Sequence, residues 1–222
     1  MNLLQLKEHF SEERMSSYEE LALQRGLSAE AAIDLYKLNI LLCEELYSLI
    51  CCLEVCLRNK IHDKLTETFG TEDWFSCECV KWGDRHSKDI ENTVAEIKKR
   101  KHIDVVRPDQ MVCGLNFGFW CHVFDNCYEN CLWTAGLNKI FPHYMGRPNR
   151  KHIAQSLTQL LKIRNRIAHF EIIIKDEKEL LASHNKMVEV INWFSPEIYL
   201  WFKIFNNFEK LYNNLQNNTF DE

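Results

Sequence analysis

The sequence predicts an all-α fold, and its composition and the scarcity of Gly and Pro indicate this directly. Only 7 glycines and 4 prolines occur in 222 residues, and β-branched runs are scarce. Long stretches without Gly or Pro are typical of helices joined by short connections. Hydrophobic residues make up 46% and charged residues 27% of the chain, as in ordinary globular proteins. We therefore expect one domain that spans residues 1–222 and buries a core of its own.

The first half of the chain contains one short and one very long helical stretch. The segment SSYEELALQRG predicts a helix that ends at Gly26, so residues 1–27 form an N-terminal helical extension. Ser28 is expected to cap the next stretch, which runs to Gly70 without Gly or Pro. That stretch is either one very long helix or two helices with a break that the sequence does not mark.

The second half predicts several shorter helices. Ser87 is expected to cap one of them, and another runs from about residue 149 to residue 169. The segment FEIII after it is expected to be extended. Two more helices meet at FSPE, where Ser195 caps and Pro196 takes the first turn. The polar residues 213–222 are expected to fray.

No targeting or membrane segment is expected. The N-terminus, MNLLQLKEHFSEER, has no sustained apolar core. The most apolar run, LNILLCEELYSLICCLEVCL, contains Glu44, Glu45 and Glu54, which makes it a poor bilayer span. These features favour a cytoplasmic protein with no membrane partner.

The ten cysteines are expected to be reduced thiols. No CxxC pair occurs, and Cys77 and Cys79 in SCEC have the wrong spacing for a common zinc site. Small apolar packing is the usual role of such residues in the cytosol. We therefore predict no metal site, no cofactor and no disulfide framework.

Basic residues are concentrated in one segment although the chain is acidic overall. The net charge is −5, yet residues 130–170 contain no Asp or Glu although the chain has 32 of these acids. Such asymmetry favours a polyanionic partner docked on one face, although a solvated basic face balanced by acids elsewhere explains it equally well. The expected RNA-binding residues are Lys139, Arg147, Arg150, Lys151, Lys162 and Arg166.

The segment RNRIAHFE, residues 164–171, places polar groups on two faces of a helix. At about 100° per residue, Arg164 falls inside the apolar stripe, whereas Asn165 and His169 share the polar face. In the long helical stretch, Glu54 and Arg58 also lie inside the apolar stripe. Buried charge is costly unless it is paired or lines a cavity. We expect a network of Glu54 with Arg58, Arg164 or both, which is either purely structural or also positions Arg164 at a cleft.

Arginine and histidine together suit cleavage of RNA through its own 2′-hydroxyl group. Histidine removes or returns a proton, and arginine stabilises the charge that builds on the phosphate. The sequence has no Ser or Cys nucleophile in a motif with His169. It also contains no glycine-rich phosphate loop and no HExxH metal pair. DNA lacks the internal nucleophile, so this pair would not serve a DNA nuclease.

The stretch RNRIAH, residues 164–169, resembles the signature of the HEPN ribonuclease superfamily: an arginine, a polar residue and, a few positions later, a histidine. More of the chain resembles its Abi-like abortive-infection branch. The similar stretches are LYKLNILLCEELYSLICCLEVCLRNKIHDKL, FGFWCHVFDNCYENCLW and FPHYMGRPNRKHIAQSLTQLLKIRNRIAHFE. They keep the family order across about residues 30–174.

The resemblance implies an all-α, HEPN-type helical bundle with additional helices, assembled as a homodimer. It also implies a metal-independent endoribonuclease that leaves a 2′,3′-cyclic phosphate and a 5′-hydroxyl. By this resemblance Arg164 and His169 are catalytic and Asn165 orients or polarises them. The residues expected to support the site are Glu54, Arg58, Asn59 and Glu171.

Members of this family commonly act in phage defence or toxin–antitoxin systems by cutting RNA. Such a nuclease must be restrained, either by a protein antitoxin or by a structured noncoding RNA, and the basic segment suits the RNA. The chain departs from the family at Leu38 and Phe170, where members often have Trp and a second His. The general acid is therefore unassigned, and a dimer would supply a second His169.

Two other functions compete with an RNA-cleaving defence effector. One is a non-catalytic RNA-binding module of the same fold, in which Arg164 and His169 bind RNA without cutting it. The other is a helical scaffold in which Arg164 is held in salt bridges and no RNA is bound.

Overall fold

The chain is all-α, as the sequence predicts. The computed structural model describes residues 2–78 and 80–220, and no strand occurs in this part of the chain. Short 3-10 turns and one π turn join the α-helices. These are α1 (Leu3–Phe10), α2 (Glu12–Gln24), α3 (Ala32–Phe69), α4 (Asp84–Lys101), α5 (Pro108–Gly114), α6 (Phe117–His122), α7 (Arg150–Ala168), α8 (Glu177–Phe194), α9 (Pro196–Lys203) and α10 (Phe208–Asn217).

The long apolar stretch is one uninterrupted helix. Helix α3 contains 38 residues, because neither Gly nor Pro occurs within it to break the backbone hydrogen bonds. It ends at Gly70, whose φ of 70° lies in the left-handed region that glycine adopts readily. The Gly70 N–H donates to the Thr66 carbonyl at 2.9 Å. Of the two alternatives for this stretch, the single helix is correct.

Several predicted helix ends are confirmed and others are wrong. Helix α7 falls within the predicted range, and Pro196 takes the first position of α9. Helix α4 begins at Asp84, so Ser87 lies inside it rather than capping it. Ser28 occupies the N-cap position of the 3-10 turn Ala29–Ala31, which leads into α3, but its side chain makes no capping hydrogen bond. The N-cap position of α4 is taken by Gly83 instead of Ser87.

Two segments without a helix prediction have helical structure. In FEIII, Ile173–Lys175 forms a 3-10 turn rather than an extended strand. Residues 213–217 complete α10 instead of fraying, because Tyr212 and Leu215 are buried on one face of that helix. The helix ends at Asn218, which adopts φ of 53°, a conformation that Asn tolerates better than most residues.

The chain divides into two compact units, and each is built from separate pieces of sequence. Unit 1 comprises Met1–Leu49, Asn165–Asn185 and Phe202–Glu222. Unit 2 comprises Ile50–Arg164 and Lys186–Trp201. Helices α3, α7, α8 and α9 each contribute residues to both units. Whether residues 1–222 behave as one domain stays a prediction.

The N-terminal helices belong to the core of unit 1. Met15, Tyr18 and Ala22 on α2 are fully buried, as are Leu35 and Leu42 on α3. A fully buried Leu or Met side chain contributes about 1.5–3 kcal/mol relative to an exposed one. The predicted N-terminal extension therefore forms a packed part of unit 1.

The core of unit 2 combines the apolar stripe of α3 with an aromatic cluster. The tryptophans of the loop after α3 are docked: Trp74 is fully buried and donates to His62 Nδ1 at 3.0 Å, and Trp82 donates to the Phe75 carbonyl at 2.9 Å. Both indole N–H groups are satisfied, as buried tryptophans require. The stripe consists of Leu53, Leu57, Ile61 and Leu65, each 0% exposed.

No helix within residues 2–78 and 80–220 has both the length and the apolar character that a membrane crossing needs.

Candidate active site

Helix α7 exposes the polar residues of the RNRIAHFE segment in the pattern predicted from the helical wheel. Its buried face carries Ile163 and Ile167. Asn165 and His169 are exposed, and Arg164 is half-buried. Arg164 belongs to unit 2, and the residues from Asn165 onwards belong to unit 1. Each part of the segment is therefore described within its own unit.

In unit 2, Glu54 lies within electrostatic reach of both Arg164 and Arg58, and the expected network of the three residues stays a prediction. Burial raises the pKa of the Glu54 carboxyl above its ordinary value, and the positive charges of Arg164 and Arg58 oppose that rise. The Nε of Arg58 is buried with no hydrogen-bond partner among the described residues. Both arginines therefore act electrostatically on Glu54. Asn59, which follows Arg58 on α3, is exposed.

Cys121 shares the environment of Glu54 and Arg164. Its side chain is buried on α6, and burial raises the pKa of its thiol well above the ordinary value. The charge of Glu54 raises that pKa further, whereas the charge of Arg164 lowers it. The thiol therefore stays protonated and acts as an apolar neighbour of the Glu54 carboxyl.

His169 is the capping residue at the C-terminus of α7. Its N–H donates to the Asn165 carbonyl at 2.9 Å. The next two N–H groups, of Phe170 and Glu171, donate to the carbonyls of Ile167 and Arg166, each at 3.0 Å. This pair of bonds is a Schellman motif, which usually places Gly at the left-handed position. Here Phe170 occupies that position with φ of 56°, so the backbone is strained directly after His169.

Two residues that the sequence analysis missed hold the chain after His169. Arg14 on α2 donates from a terminal guanidinium nitrogen to the Phe170 carbonyl at 2.8 Å. The buried side-chain oxygen of Asn39 on α3 accepts from the N–H of Ile173 at 2.9 Å and of Ile174 at 3.4 Å. These bonds attach the strained turn and the segment after it to α2 and α3.

A signal for Asn39 was present in the sequence. Asn39 lies between Leu38 and Leu42 on the buried side of α3, just as Glu54 lies within the apolar stripe further along. A polar residue in a stripe indicates a buried hydrogen-bonding role. Arg14 left no comparable signal, because its partner is a backbone carbonyl 156 residues away.

Two of the predicted RNA-binding arginines have acidic partners within their own units. Arg166 pairs with Glu171 at 3.1 Å and with Glu179 at 2.7 Å. Glu171, which was expected to support the site, thus forms an ion pair with Arg166. The two carboxylates carry more charge than the single guanidinium, so this cluster is not net positive.

Arg150 is an anchor at the start of α7. It donates to Glu129 at 3.2 Å, to the Phe124 carbonyl at 2.8 Å and to the Asn126 side chain at 2.7 Å. Its side chain is only 13% exposed. These contacts hold the loop before α7 against the helix.

The two predicted lysines on α7 share a polar groove in unit 2. Lys151 and Lys162 are exposed and line it together with Gln155, Thr158 and Gln159. The groove has a volume of about 790 Å³, and its lining combines ammonium and amide donors on α7 with the carboxylate of Asp125. The other two predicted residues, Lys139 and Arg147, are exposed.

Within residues 2–78 and 80–220, no group of three or more His, Cys, Asp or Glu side chains is arranged to hold a metal ion. Eight cysteines in this part of the chain are free. Cys77 is disulfide-bonded, which corrects the expectation of reduced thiols at that position. Cys79 lies outside the described residues.

The chain matches no protein-family model, no curated protein and no solved structure at a significant level. Its function must therefore be inferred from its own residues.

Proposed function

We propose that the protein is a metal-independent endoribonuclease that cleaves RNA through its 2′-hydroxyl group. The observation that carries the proposal is the arrangement of one helical segment. An exposed His169 caps α7, and a half-buried Arg164 in the same segment lies within the electrostatic reach of Glu54. The resemblance of residues 164–169 to the HEPN signature supports the same chemistry.

In the proposed reaction, His169 accepts the proton of the 2′-hydroxyl as its oxygen attacks the neighbouring phosphorus. The new bond joins the 2′-oxygen to phosphorus, and the bond from phosphorus to the 5′-oxygen breaks. Arg164 stabilises the charge on the phosphoryl oxygens, and Asn165 orients the reacting groups. The products are a 2′,3′-cyclic phosphate and a 5′-hydroxyl, and His169 of a second copy in a homodimer would protonate the leaving oxygen.

We further propose that the enzyme serves an abortive-infection or toxin-type phage defence system. The support is the ordered resemblance to Abi-like proteins and the groove that Lys151 and Lys162 line on α7. A structured noncoding RNA in that groove, or a protein antitoxin, would restrain the activity.

A non-catalytic RNA-binding module is the second candidate. The groove on α7 favours it, because its lysines and amides lie in unit 2 and need no contribution from His169 to hold a phosphate backbone.

The test is cleavage of a labelled total-RNA pool in EDTA by wild-type protein and the His169→Ala variant. The matched control is His143→Ala, which removes another exposed histidine of the basic segment. We expect His169→Ala to lower the cleavage rate by about 10²–10⁴-fold, with His143→Ala close to wild type. RNA retention without cleavage by all three proteins would favour the binding module. Neither binding nor cleavage would favour the scaffold.

A further inference from the structure

A cavity in unit 1 opens beside the end of α7 and is separate from the groove of lysines. Its volume is about 510 Å³. Residues 167, 168 and 170 border it on either side of His169. The other side chains that matter for recognition, from α2 and α3, are Arg14, Tyr36, Ile40, Glu44 and Tyr47.

The walls of this cavity present flat rings to solvent. Tyr47 is 48% exposed and Phe170 is 70% exposed, and both border the cavity. Tyr36 is half-buried, and its ring already packs against the Arg14 guanidinium, 5.5 Å from its centre, and against the ring of Phe10 at 5.3 Å. Aromatic rings and arginine together are the surfaces on which unpaired RNA bases stack.

The backbone of Phe170 is fixed at the end of α7. It is in the left-handed region, and its carbonyl accepts a hydrogen bond from Arg14. A glycine at this position would satisfy the helix end without strain. The chain instead places a large ring there, which is mostly exposed and borders the cavity.

The two charged groups at the cavity suit the edges of one base in particular. The Glu44 carboxylate is exposed and only accepts hydrogen bonds. Guanine is the RNA base whose pairing edge offers two adjacent N–H donors to such a group. Arg14 only donates, and it has further N–H groups beyond the one bound to Phe170. Guanine's other edge offers two acceptors to a donor of this kind.

We propose that this cavity binds an unpaired base of RNA, with guanine preferred. The base would stack against Tyr47 and Phe170, and Glu44 and Arg14 would select it. The cavity would thus select the nucleotide that lies next to the cleaved bond. That the ligand is RNA rests on the proposed function.

Binding of free nucleotides tests the cavity without any cleavage. Wild-type protein, Tyr47→Ala and Glu44→Gln are titrated with 5′-GMP, 5′-AMP and 5′-UMP and followed by saturation-transfer NMR. Phe205→Ala is the matched aromatic control, since Phe205 is 52% exposed, and Glu30→Gln is the matched control for an exposed glutamate. Circular dichroism confirms that each variant is folded.

We expect wild-type protein to bind GMP several-fold more tightly than AMP or UMP. Tyr47→Ala should weaken all three nucleotides by about tenfold, because it removes a stacking partner. Glu44→Gln should weaken GMP alone, and both controls should bind as wild type does. Equal affinity for the three nucleotides would overturn the guanine preference, and affinities unchanged by Tyr47→Ala would overturn the site.

Two further measurements separate this proposal from its alternatives. His169→Ala should bind GMP as wild type does, so nucleotide binding without RNA cleavage would sink the nuclease and leave the cavity standing. Cleavage that depends on His169, with no GMP binding, would overturn the cavity proposal and leave the nuclease standing. Sedimentation that shifts from dimer to monomer in Tyr47→Ala, with GMP affinity unchanged, would show that a second copy covers this surface instead.

Discussion

The guanidinium of Arg14 donates a hydrogen bond of 2.8 Å to the backbone carbonyl of Phe170. Phe170 directly follows His169 and has a positive φ. A helix near the N-terminus therefore holds the strained turn that ends the RNRIAHFE segment. This contact makes α2 part of the surroundings of His169 within unit 1.

The strain at Phe170 can be measured by comparing two substitutions. Phe170→Gly and Phe170→Ala both remove a ring that is mostly exposed, so they lose similar packing. Only glycine also removes the Cβ that disfavours a positive φ. We expect the Gly variant to exceed the Ala variant by about 1 kcal/mol in free energy of unfolding, measured by urea titration. Equal stabilities would show that the turn is unstrained.

Asn39 should be a strong determinant of stability. Asn39→Ala removes the acceptor for the N–H groups of Ile173 and Ile174 and leaves them buried without a partner. We expect the free energy of unfolding to fall by about 2–4 kcal/mol. Lys37→Ala, an exposed change on the same helix, should stay within about 0.5 kcal/mol of wild type. An Asn39→Ala variant as stable as that control would contradict the role of the amide.

The raised pKa of Glu54 predicts how stability depends on pH. The folded protein holds the proton of this carboxyl more tightly than the unfolded chain does. Stability from Glu54 is therefore present below its unfolded pKa and is lost as pH rises through its folded pKa. We expect the melting temperature of Glu54→Gln to rise relative to that of wild type as the pH increases from about 4.

Glu72→Gln is the control for that series, because Glu72 is exposed in the loop after α3. It should show little change relative to wild type across the same pH range. If wild type instead gains on Glu54→Gln as pH rises, attraction to Arg164 and Arg58 outweighs the burial of the carboxyl.

Cys56 should be a reactive thiol. A hydrogen bond from Cys52, one turn earlier on α3, lowers the pKa of Cys56 despite its burial, and the charge of Lys60 lowers it further. A lowered pKa increases the share of thiolate, the reactive form, at neutral pH. Iodoacetamide should therefore modify Cys56 at pH 7 at a rate that rises from pH 6 to pH 8, as followed by peptide mass spectrometry.

Removing the donor tests the cause of this reactivity. Cys52→Ala should slow the modification of Cys56 at pH 7 several-fold, because the thiolate loses its hydrogen bond. Modification of Cys113, an exposed thiol on α5, should not change. An unaltered rate at Cys56 would mean that Cys52 does not set its pKa.

The polar residues of the candidate site were predictable to different degrees. Glu54, Arg58 and Arg164 interrupt apolar stripes, which is why the helical pattern suggested a network; both arginines act electrostatically on Glu54. The pairing of Arg166 with Glu171 is local to the RNRIAHFE segment. The other acidic partners were not predictable, because they come from other segments: Glu129 lies 21 residues before Arg150, and Glu179 lies 13 residues after Arg166.

The sequence left open whether α3 is one helix or two, but by itself it determined that the chain is helical and on which faces Asn165 and His169 are exposed. These follow from local periodicity and from the scarcity of Gly and Pro, which act within a few residues. Only the tertiary structure decided that Arg14 holds Phe170, that Asn39 holds the chain after it and that Arg150 is an anchor. Such contacts join residues far apart in the chain, and their energies depend on which groups are buried together.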